Sequence, residues 1–440
     1  MTAQHRARTW MAIGLVILIG FVVLSALGVG RAADPTFTEW GWPQPYEQVP
    51  ARTVKWLKDN GYWPIKIGFQ TPWMQEATVP IVLSKLGLGS KRGLEIEVVP
   101  FLSGQPINAA LLANSIHVGT GGSFPMTSLM DRKAPVKNTC PCWTPLDQFT
   151  LIIRPEDRGK YKTVADLKGK TIGLVSGSGS ELVWVLMALH WGLDPYKDVQ
   201  LKNMTIPDQA TFPQGIDAVF PWAFTPRYMM DYRKNGIELE DSGRYQVYFA
   251  GTYVRQELLQ NAPEAVQAMM DAMVEALLWS RLKPEQATDM VREFEGLKGY
   301  PRKLILDENL VWNNMLKPTT ISFFKEIYPY EGERVAEYLH KGNRIKTRLT
   351  AKDYLDFTDT SYIENTFRKL GWRVPREPSF FKAGYTSANY RTDLDAIRGG
   401  KKVLFDFHFP HKMTRPQDFP EPGDLEGRWS FGGKWYEPAR

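Results

Sequence analysis

The sequence predicts an α/β protein of two lobes facing each other across a cleft, with a C-terminal extension. Three observations predict it. From residue 64 onward, apolar runs of strand length alternate with helical stretches of one to three turns, joined by Gly and Pro. Two runs of small and hydroxyl residues, 119–125 and 176–181, each follow a strand and precede a helix. Finally, 440 residues with 15 Trp, 18 Tyr and 22 Phe supply two cores of ordinary size and aromatic side chains for a stacking site.

The first 33 residues stand apart. Arg6 and Arg8 precede an uncharged run over residues 9–30 that closes at Arg31-Ala32-Ala33-Asp34. A basic start before an apolar run long enough to span a bilayer reads as an export segment, either a signal peptide or an N-terminal membrane anchor. Arg31 weakens the cleavage site after Ala33, so both forms stay open. The positive residues precede the span, which places the bulk outside the cytoplasm in either case. No Cys follows the run, which argues against a lipoprotein anchor.

The remaining elements follow in order. Residues 34–60 read as an extended leader with an amphipathic segment at 53–57, and the compact domain is expected to start after it. Residues 64–69 read as a buried strand, 73–86 as a helix, 94–101 as a second strand, 106–114 as a second helix and 116–119 as a third strand. A new strand is expected over 149–153. A short helix over 163–170 feeds a strand at 171–175, and the long apolar helix 182–191 comes next. A unit at 209–215 and the strand-like 217–220 lead into Pro221-Trp222. Residues 246–250 look like a strand returning to the first lobe, and Asn261-Ala262-Pro263-Glu264 opens an apolar-periodic helix to about residue 279. Such alternation indicates mostly parallel sheets. Beyond residue 301 the pattern is helical to 370, and 372–440 is aromatic, Pro- and Gly-rich without clear period. The expected organisation is lobe 1 at 34–145, lobe 2 at 146–245, a return to lobe 1 with packing helices at 246–340, and the extension at 341–440.

Composition narrows the function. With 43% hydrophobic and 23% charged residues the chain is neither disordered nor a multi-span membrane protein. The net charge of +6 includes Arg6, Arg8 and Arg31, so the rest is nearly balanced. Without a basic stripe, no nucleic-acid partner is expected.

The strongest local signal is Thr171-Ile-Gly-Leu-Val-Ser176-Gly177-Ser178-Gly179-Ser180-Glu181. Small residues let a ligand approach the backbone, hydroxyls donate hydrogen bonds, and the helix start offers unpaired N–H groups to an oxyanion. The plainer account is that Ser178 or Ser180 caps the helix. No Gly-Lys-Ser/Thr follows, so it is not a phosphate P-loop, and Ser at 176 breaks the nucleophile-elbow pattern. A second turn, Gly119-Thr120-Gly121-Gly122-Ser123-Phe124-Pro125, and a third, Gln70-Thr71-Pro72-Trp73, lie at strand ends. Trp143 and Trp222 occupy equivalent positions, where open α/β sheets bind ligands. Plain core packing competes at each.

Metal and cofactor signals are weak. Cys140-Pro141-Cys142 is too close for an unstrained bridge and incomplete as a soft-metal site. Pro410 interrupts the one close histidine pair, His408 and His411. No dinucleotide or zinc motif is present, so neither a cofactor nor a catalytic set is expected.

These segments together resemble the solute-binding proteins of ABC importers in the nitrate, taurine and aliphatic-sulfonate group, a branch that includes binders of thiamine-pyrimidine precursors. The resemblance rests on Ile67-Gly-Phe-Gln-Thr-Pro-Trp73, Ala113-Asn-Ser-Ile-His-Val-Gly-Thr-Gly-Gly-Ser-Phe-Pro125, Thr163-Val-Ala-Asp-Leu-Lys-Gly-Lys-Thr-Ile-Gly-Leu174, Gly177-Ser-Gly-Ser-Glu181 and Gly215-Ile-Asp-Ala-Val-Phe-Pro-Trp222. It implies a type II periplasmic-binding fold with a hinge and a ligand cleft. Its function would be non-catalytic capture of a small anionic or zwitterionic, sulfonate-like solute for an ABC permease and its ATPase, in the periplasm or on the outer face of the inner membrane. A tether through residues 9–30 would serve the second case. The ligand positions it implies are Gln70, Trp73, Gly121, Gly122, Ser123, Ser176, Gly177, Ser178, Gly179, Ser180, Asp217 and Trp222, to which the strand-end argument adds Trp143. His117 stands where the family carries acidic residues. Two alternatives stay open: an enzyme on the same fold, pyrimidine synthase-like or hydrolytic, which needs His117 or His190 beside a serine, and a membrane-tethered interaction protein acting through its extension.

Overall fold

The computed structural model describes residues 35–71, 73–143, 149–243, 245–246, 248–315, 327–374, 387–403 and 422–440. Residues 1–33, where an export segment is expected, and His408 and His411 lie outside them.

The chain opens with two short antiparallel strands, β1 (Thr36–Phe37) and β2 (Pro43–Gln44), and the helix α1 (Ala51–Asp59), which contains the amphipathic segment expected at 53–57. This leader is packed into the fold and does not merely precede it. Trp42 is buried, and Trp40 Nε1 and the Tyr46 hydroxyl each donate to Glu275 Oε1 at 2.7 Å. The other Glu275 oxygen pairs with buried Arg92 at 2.7 Å.

The first lobe begins with β3 (Ile65–Gln70), β4 (Ile96–Phe101), β5 (Val118–Gly122), β6 (Val136–Asn138) and β7 (Cys142–Trp143). The chain then builds the second lobe from β8 (Thr150–Ile153), β9 (Thr171–Leu174), β10 (Gln200–Asn203), β11 (Ala218–Val219) and β12 (Ile237–Asp241), in the order β10-β9-β11-β8-β12. It returns as β13 (Phe249–Arg255), which completes the first sheet in the order β4-β3-β5-β13-β6, with β7 also paired to β13.

Both sheets are mixed rather than mostly parallel. β3 runs parallel to β4 and β5, and β9 parallel to β10 and β11. β13 is antiparallel to β5, β6 and β7, and β8 is antiparallel to β11 and β12. The reason is topological. β8 and β13 are the strands on which the chain arrives from the opposite lobe, so each starts at the cleft and runs away from it, whereas the crossover strands end there.

Helices cover both faces of the first sheet. On one face, Ile67, Val118 and Val254 meet Val79 and Val82 of α2 (Met74–Lys85) and Met269 and Met273 of the long α6 (Pro263–Leu282). On the other, α3 (Gly104–Leu112), α4 (Ser123–Asp131) and α7 (Tyr328–Lys341) pack through Ile107, Met126 and Tyr328. In the second lobe, Leu151, Ile172 and Leu174 bury Trp184 and Met187 of α5 (Gly179–His190). That helix starts three residues before its apolar run because Ser178 caps it: Oγ accepts from Ser180 N at 3.2 Å.

The extension has structure that its composition hides. A two-residue Gly432-Gly433 turn, with φ of +59° and +75°, joins β14 (Trp429–Phe431) to β15 (Lys434–Tyr436). The Trp429 ring packs edge-on against Trp372 at 5.0 Å, and its Nε1 donates to Gly41 O at 2.8 Å, which seats the hairpin on the leader.

Candidate functional site

Where the two sheets face each other, the strand-end turns of both lobes meet. Gln70, Trp73 and Gly122 of the first lobe and Ser178, Gly179 and Trp222 of the second line one narrow space, with about 10 Å³ of room for the centres of water-sized molecules. Six of the positions singled out from the sequence therefore converge. The lobes also touch directly, since Gln105 Nε2 donates to Gly177 O at 2.9 Å.

Two lining residues had no sequence signal of the kind sought. Phe149 and Tyr248 immediately precede β8 and β13, the strands that begin at the cleft, whereas attention to strand ends finds only residues at the opposite polarity. Their rings meet edge-on at 4.7 Å, and Tyr248 also lies 6.2 Å from Trp73. The Tyr248 hydroxyl sits between the two glycine turns. A Cβ at Gly122 or at Gly179 would collide with it, so glycine at both positions is a requirement of close approach. Burial pushes the Tyr248 phenol well above its usual range, against the hydrogen bonding of Ser123.

The electrostatics of the site come from neutral donors. None of the lining residues is charged. Trp73 and Trp222 are each 3% exposed, and the indole N–H of each is buried without a hydrogen-bond partner among the described residues. An unpaired buried donor costs about 1–3 kcal/mol. Just behind the space, Gln70 Nε2 donates to Glu76 Oε2 at 2.8 Å, and the Thr120 hydroxyl donates to the same oxygen at 2.7 Å. Burial raises the Glu76 carboxyl to about 7 in spite of those two bonds.

The other expected positions have different surroundings. Ser178 lines the space, but its hydroxyl donates to Val175 O at 2.6 Å and lies 2.9 Å from that of Ser180, which is fully buried behind it. Gly177, with φ of +74°, turns its N–H to Glu181 Oε2 at 2.7 Å. Ser176 is exposed, with its N–H on Asn203 Oδ1 at 2.9 Å. The Gly121 carbonyl accepts from the Tyr253 hydroxyl. Asp217 stands apart at the start of β11, where its carboxylate accepts from the Tyr161 hydroxyl at 2.8 Å and Thr171 N at 2.9 Å. Trp143 lies in β7, opposite Phe249.

The histidines of the enzymatic alternative are engaged elsewhere. His117 Nδ1 accepts from Lys66 N at 3.1 Å, its ring lies 4.8 Å from Tyr62, and burial lowers its pKa to about 4. His190, at the far end of α5, packs edge-on against Tyr245 at 5.4 Å. Among the described residues no group of three His, Cys, Asp or Glu side chains is placed to hold a metal ion.

Comparison with known proteins agrees with this architecture. Residues 82–287 match the family model described as NMT1/THI5 like. A provisionally named binding protein of Brucella abortus is 24% identical over 243 residues, 54% of this chain and 73% of its own. Among solved structures, the periplasmic aliphatic sulphonate binding protein of Escherichia coli aligns with 21% identity and a TM-score of 0.54 over 66% of this chain and 91% of its own. The periplasmic nitrate-binding protein of Synechocystis PCC 6803 aligns with 16% identity and a TM-score of 0.59 over 76% of this chain and 97% of its own. The chain thus carries an NMT1/THI5-like domain over residues 82–287 and has the two-lobed fold of the periplasmic binding proteins.

Proposed function

We propose that the protein is an extracytoplasmic solute-binding component of an ABC importer, which captures a small anionic or zwitterionic organic solute between its lobes and delivers it to a permease. The observation that carries this reading is the pair of buried indole N–H groups of Trp73 and Trp222, residues that line the interlobe space from either lobe, neither of which has a hydrogen-bond partner among the described residues. Neutral donors of this kind suit a sulfonate or carboxylate head, whose several oxygens accept without a full countercharge. Trp73, Phe149, Trp222 and Tyr248 supply the apolar walls for an organic body. The sulphonate- and nitrate-binding proteins of like fold support the same class of ligand.

Binding without catalysis is the simpler reading of the polar groups. The Ser178 hydroxyl donates to a backbone carbonyl, and neither His117 nor His190 lines the cleft. Tyr248 lies close against Gly122 and Gly179 and borders a narrow space, as expected of a closed form. Opening about the two crossings between lobes would admit the solute. Among the described residues no helix is long and apolar enough to cross a membrane. We place the protein in the periplasm or, if residues 9–30 persist as an anchor, on the outer face of the inner membrane.

The test is a thermal-shift screen of the purified protein against taurine, alkyl and aryl sulfonates, nitrate, carboxylates and pyrimidines, with calorimetry on each hit. A ligand at 100 times its dissociation constant should add about 2.7 kcal/mol of stability. One-to-one binding of a sulfonate or carboxylate without turnover is the expected result. Turnover of any hit, or binding of pyrimidines alone, would overturn the reading.

A further inference from the structure

A second cavity lies in the first lobe, between the sheet and the helices α2 and α6. It is partly open to solvent, has about 70 Å³ of room for the centres of water-sized molecules, and shares no lining residue with the interlobe space. Ile67 of β3, Val79 and Pro80 of α2, and Met273 and Leu277 of α6 make its apolar walls. The free thiols Cys140 and Cys142 border it on the side of β7. Burial pushes the Cys140 thiol up to about 12, so it meets the cavity as a neutral, weakly polar group.

Thr120, Thr252 and Glu76 interrupt the mostly apolar lining. Glu76 is 8% exposed and lines the cavity. Its Oε2 is occupied by Gln70 and Thr120, but its Oε1 is buried without a hydrogen-bond partner among the described residues. When Glu76 is ionised, that oxygen accepts one hydrogen bond from whatever enters, and desolvation of the lone oxygen opposes leaving it unmatched.

We propose that this cavity is a second ligand site, for a compact apolar molecule bearing one hydrogen-bond donor, with the body against Ile67, Val79, Met273 and Leu277 and the donor on Glu76 Oε1. The chemical class is a small phenol or apolar alcohol. A cation is disfavoured by the mostly apolar walls, in which Glu76 is the one ionisable carboxyl among the described lining residues, and a bare hydrocarbon leaves Oε1 unpaired. The site is independent of the interlobe ligand. The two are nevertheless linked by one side chain, because Gln70 faces the interlobe space while bonded to the Glu76 oxygen beside the one that would receive the donor.

The experiment compares p-cresol, toluene and p-methylanisole by calorimetry and ligand-detected NMR on the full protein. These three share an apolar ring, and only p-cresol can donate. The expected result is millimolar or tighter binding of p-cresol, at least about tenfold tighter than either of the others, as one hydrogen bond to a charged or half-charged acceptor provides. Val79→Phe, which fills the cavity from α2, should abolish p-cresol binding and leave binding of the interlobe ligand intact. Leu277→Phe fills it from α6 and serves if the first variant does not fold. Equal affinity for the three molecules, no binding of p-cresol at millimolar concentration, or binding that survives both fillings would each overturn the proposal.

Discussion

Arg344 donates to Glu181 Oε2 at 2.9 Å, and that same oxygen accepts the Gly177 N–H at 2.7 Å, so a residue of the C-terminal region is tied to the glycine turn of the second lobe through one carboxylate. The segment around it reaches both lobes. Lys346 N and Thr347 N donate to Asp131 of α4 in the first lobe at 3.0 and 2.7 Å. Arg334 donates to Tyr245 O at 2.9 Å, next to the chain's return between lobes. Residues 344–347 of the extension therefore connect the first lobe to the glycine turn of the second.

Removing that tie should cost stability and closure together. Arg344 is 38% exposed on its side chain and Glu181 only 3%. Arg344→Ala leaves a nearly buried carboxylate with its Gly177 and Tyr196 bonds but no cation. Solvent screening of the arginine holds the loss to about 1–2 kcal/mol. The expected outcome is a lower melting temperature, with weaker binding of whichever solute the screen identifies. Arg344→Lys should recover part of both. A variant that melts lower yet binds with unchanged affinity would show that the tie braces the second lobe alone.

The indoles predict an asymmetry between stability and affinity. Trp73→Phe or Trp222→Phe removes a buried donor that has no partner among the described residues, so the unliganded protein should be as stable or slightly more so. Solute affinity should fall by about 1–3 kcal/mol for each. Calorimetry and unfolding of the same samples check both halves. Loss of stability without loss of affinity would assign the rings to packing.

Much of this site was legible in the sequence, and what was not has a physical cause. Gln70, Gly122, Ser178, Gly179 and Trp222 could be found because crossover strands end at a cleft and small residues follow them. Phe149 and Tyr248 could not, because they precede strands that run the other way, and strand direction is set by long-range pairing that no local pattern encodes. Glu76 was hidden in an apolar helix, where its neighbours in space, Gln70 and Thr120, are 6 and 44 residues away. Ser178 caps its helix and also borders the interlobe space, and the hydroxyl geometry decides how much it has left to donate. The hairpin on Gly432-Gly433 carried a recognisable turn signal, but its strands are three residues each, too short to show a period.

Two buried groups give stability opposite pH dependences. The Glu76 pKa is raised from 4.5 to about 7, so its contribution is fully present below pH 4.5 and is lost as pH rises through 7, a change of roughly 3 kcal/mol. The His117 pKa is lowered from 6.5 to about 4 by burial, with Lys66 and Arg255 adding to the effect. Its contribution is present above pH 6.5 and is lost as pH falls through 4. Melting temperature against pH should therefore respond separately to two substitutions. Glu76→Gln should raise stability above pH 7 and change little at pH 4. His117→Asn, which keeps an acceptor for Lys66 N, should flatten the acid side and leave the alkaline side alone. Parallel curves for wild type and both variants would mean that neither group titrates in this range.

The close approach of Tyr248 to Gly122 and Gly179 sets the size of the interlobe space and can be tested by a double-mutant cycle. Gly122→Ala places a methyl group against the Tyr248 hydroxyl and ring carbons, where the neighbouring Phe149 leaves the ring little room to retreat. Overpacking of this kind costs about 1–3 kcal/mol. Tyr248→Ala alone removes a buried ring and should cost about 3–5 kcal/mol. Made together, the two changes should cost less than their sum, since the added methyl then faces space instead of a ring. The same pair separates packing from recognition. If Tyr248 is a wall of the solute site, Tyr248→Ala should shift preference toward bulkier sulfonates, and adding Gly122→Ala should narrow it again. Additive stabilities with unaltered ligand preference would place the phenol outside the space the solute occupies.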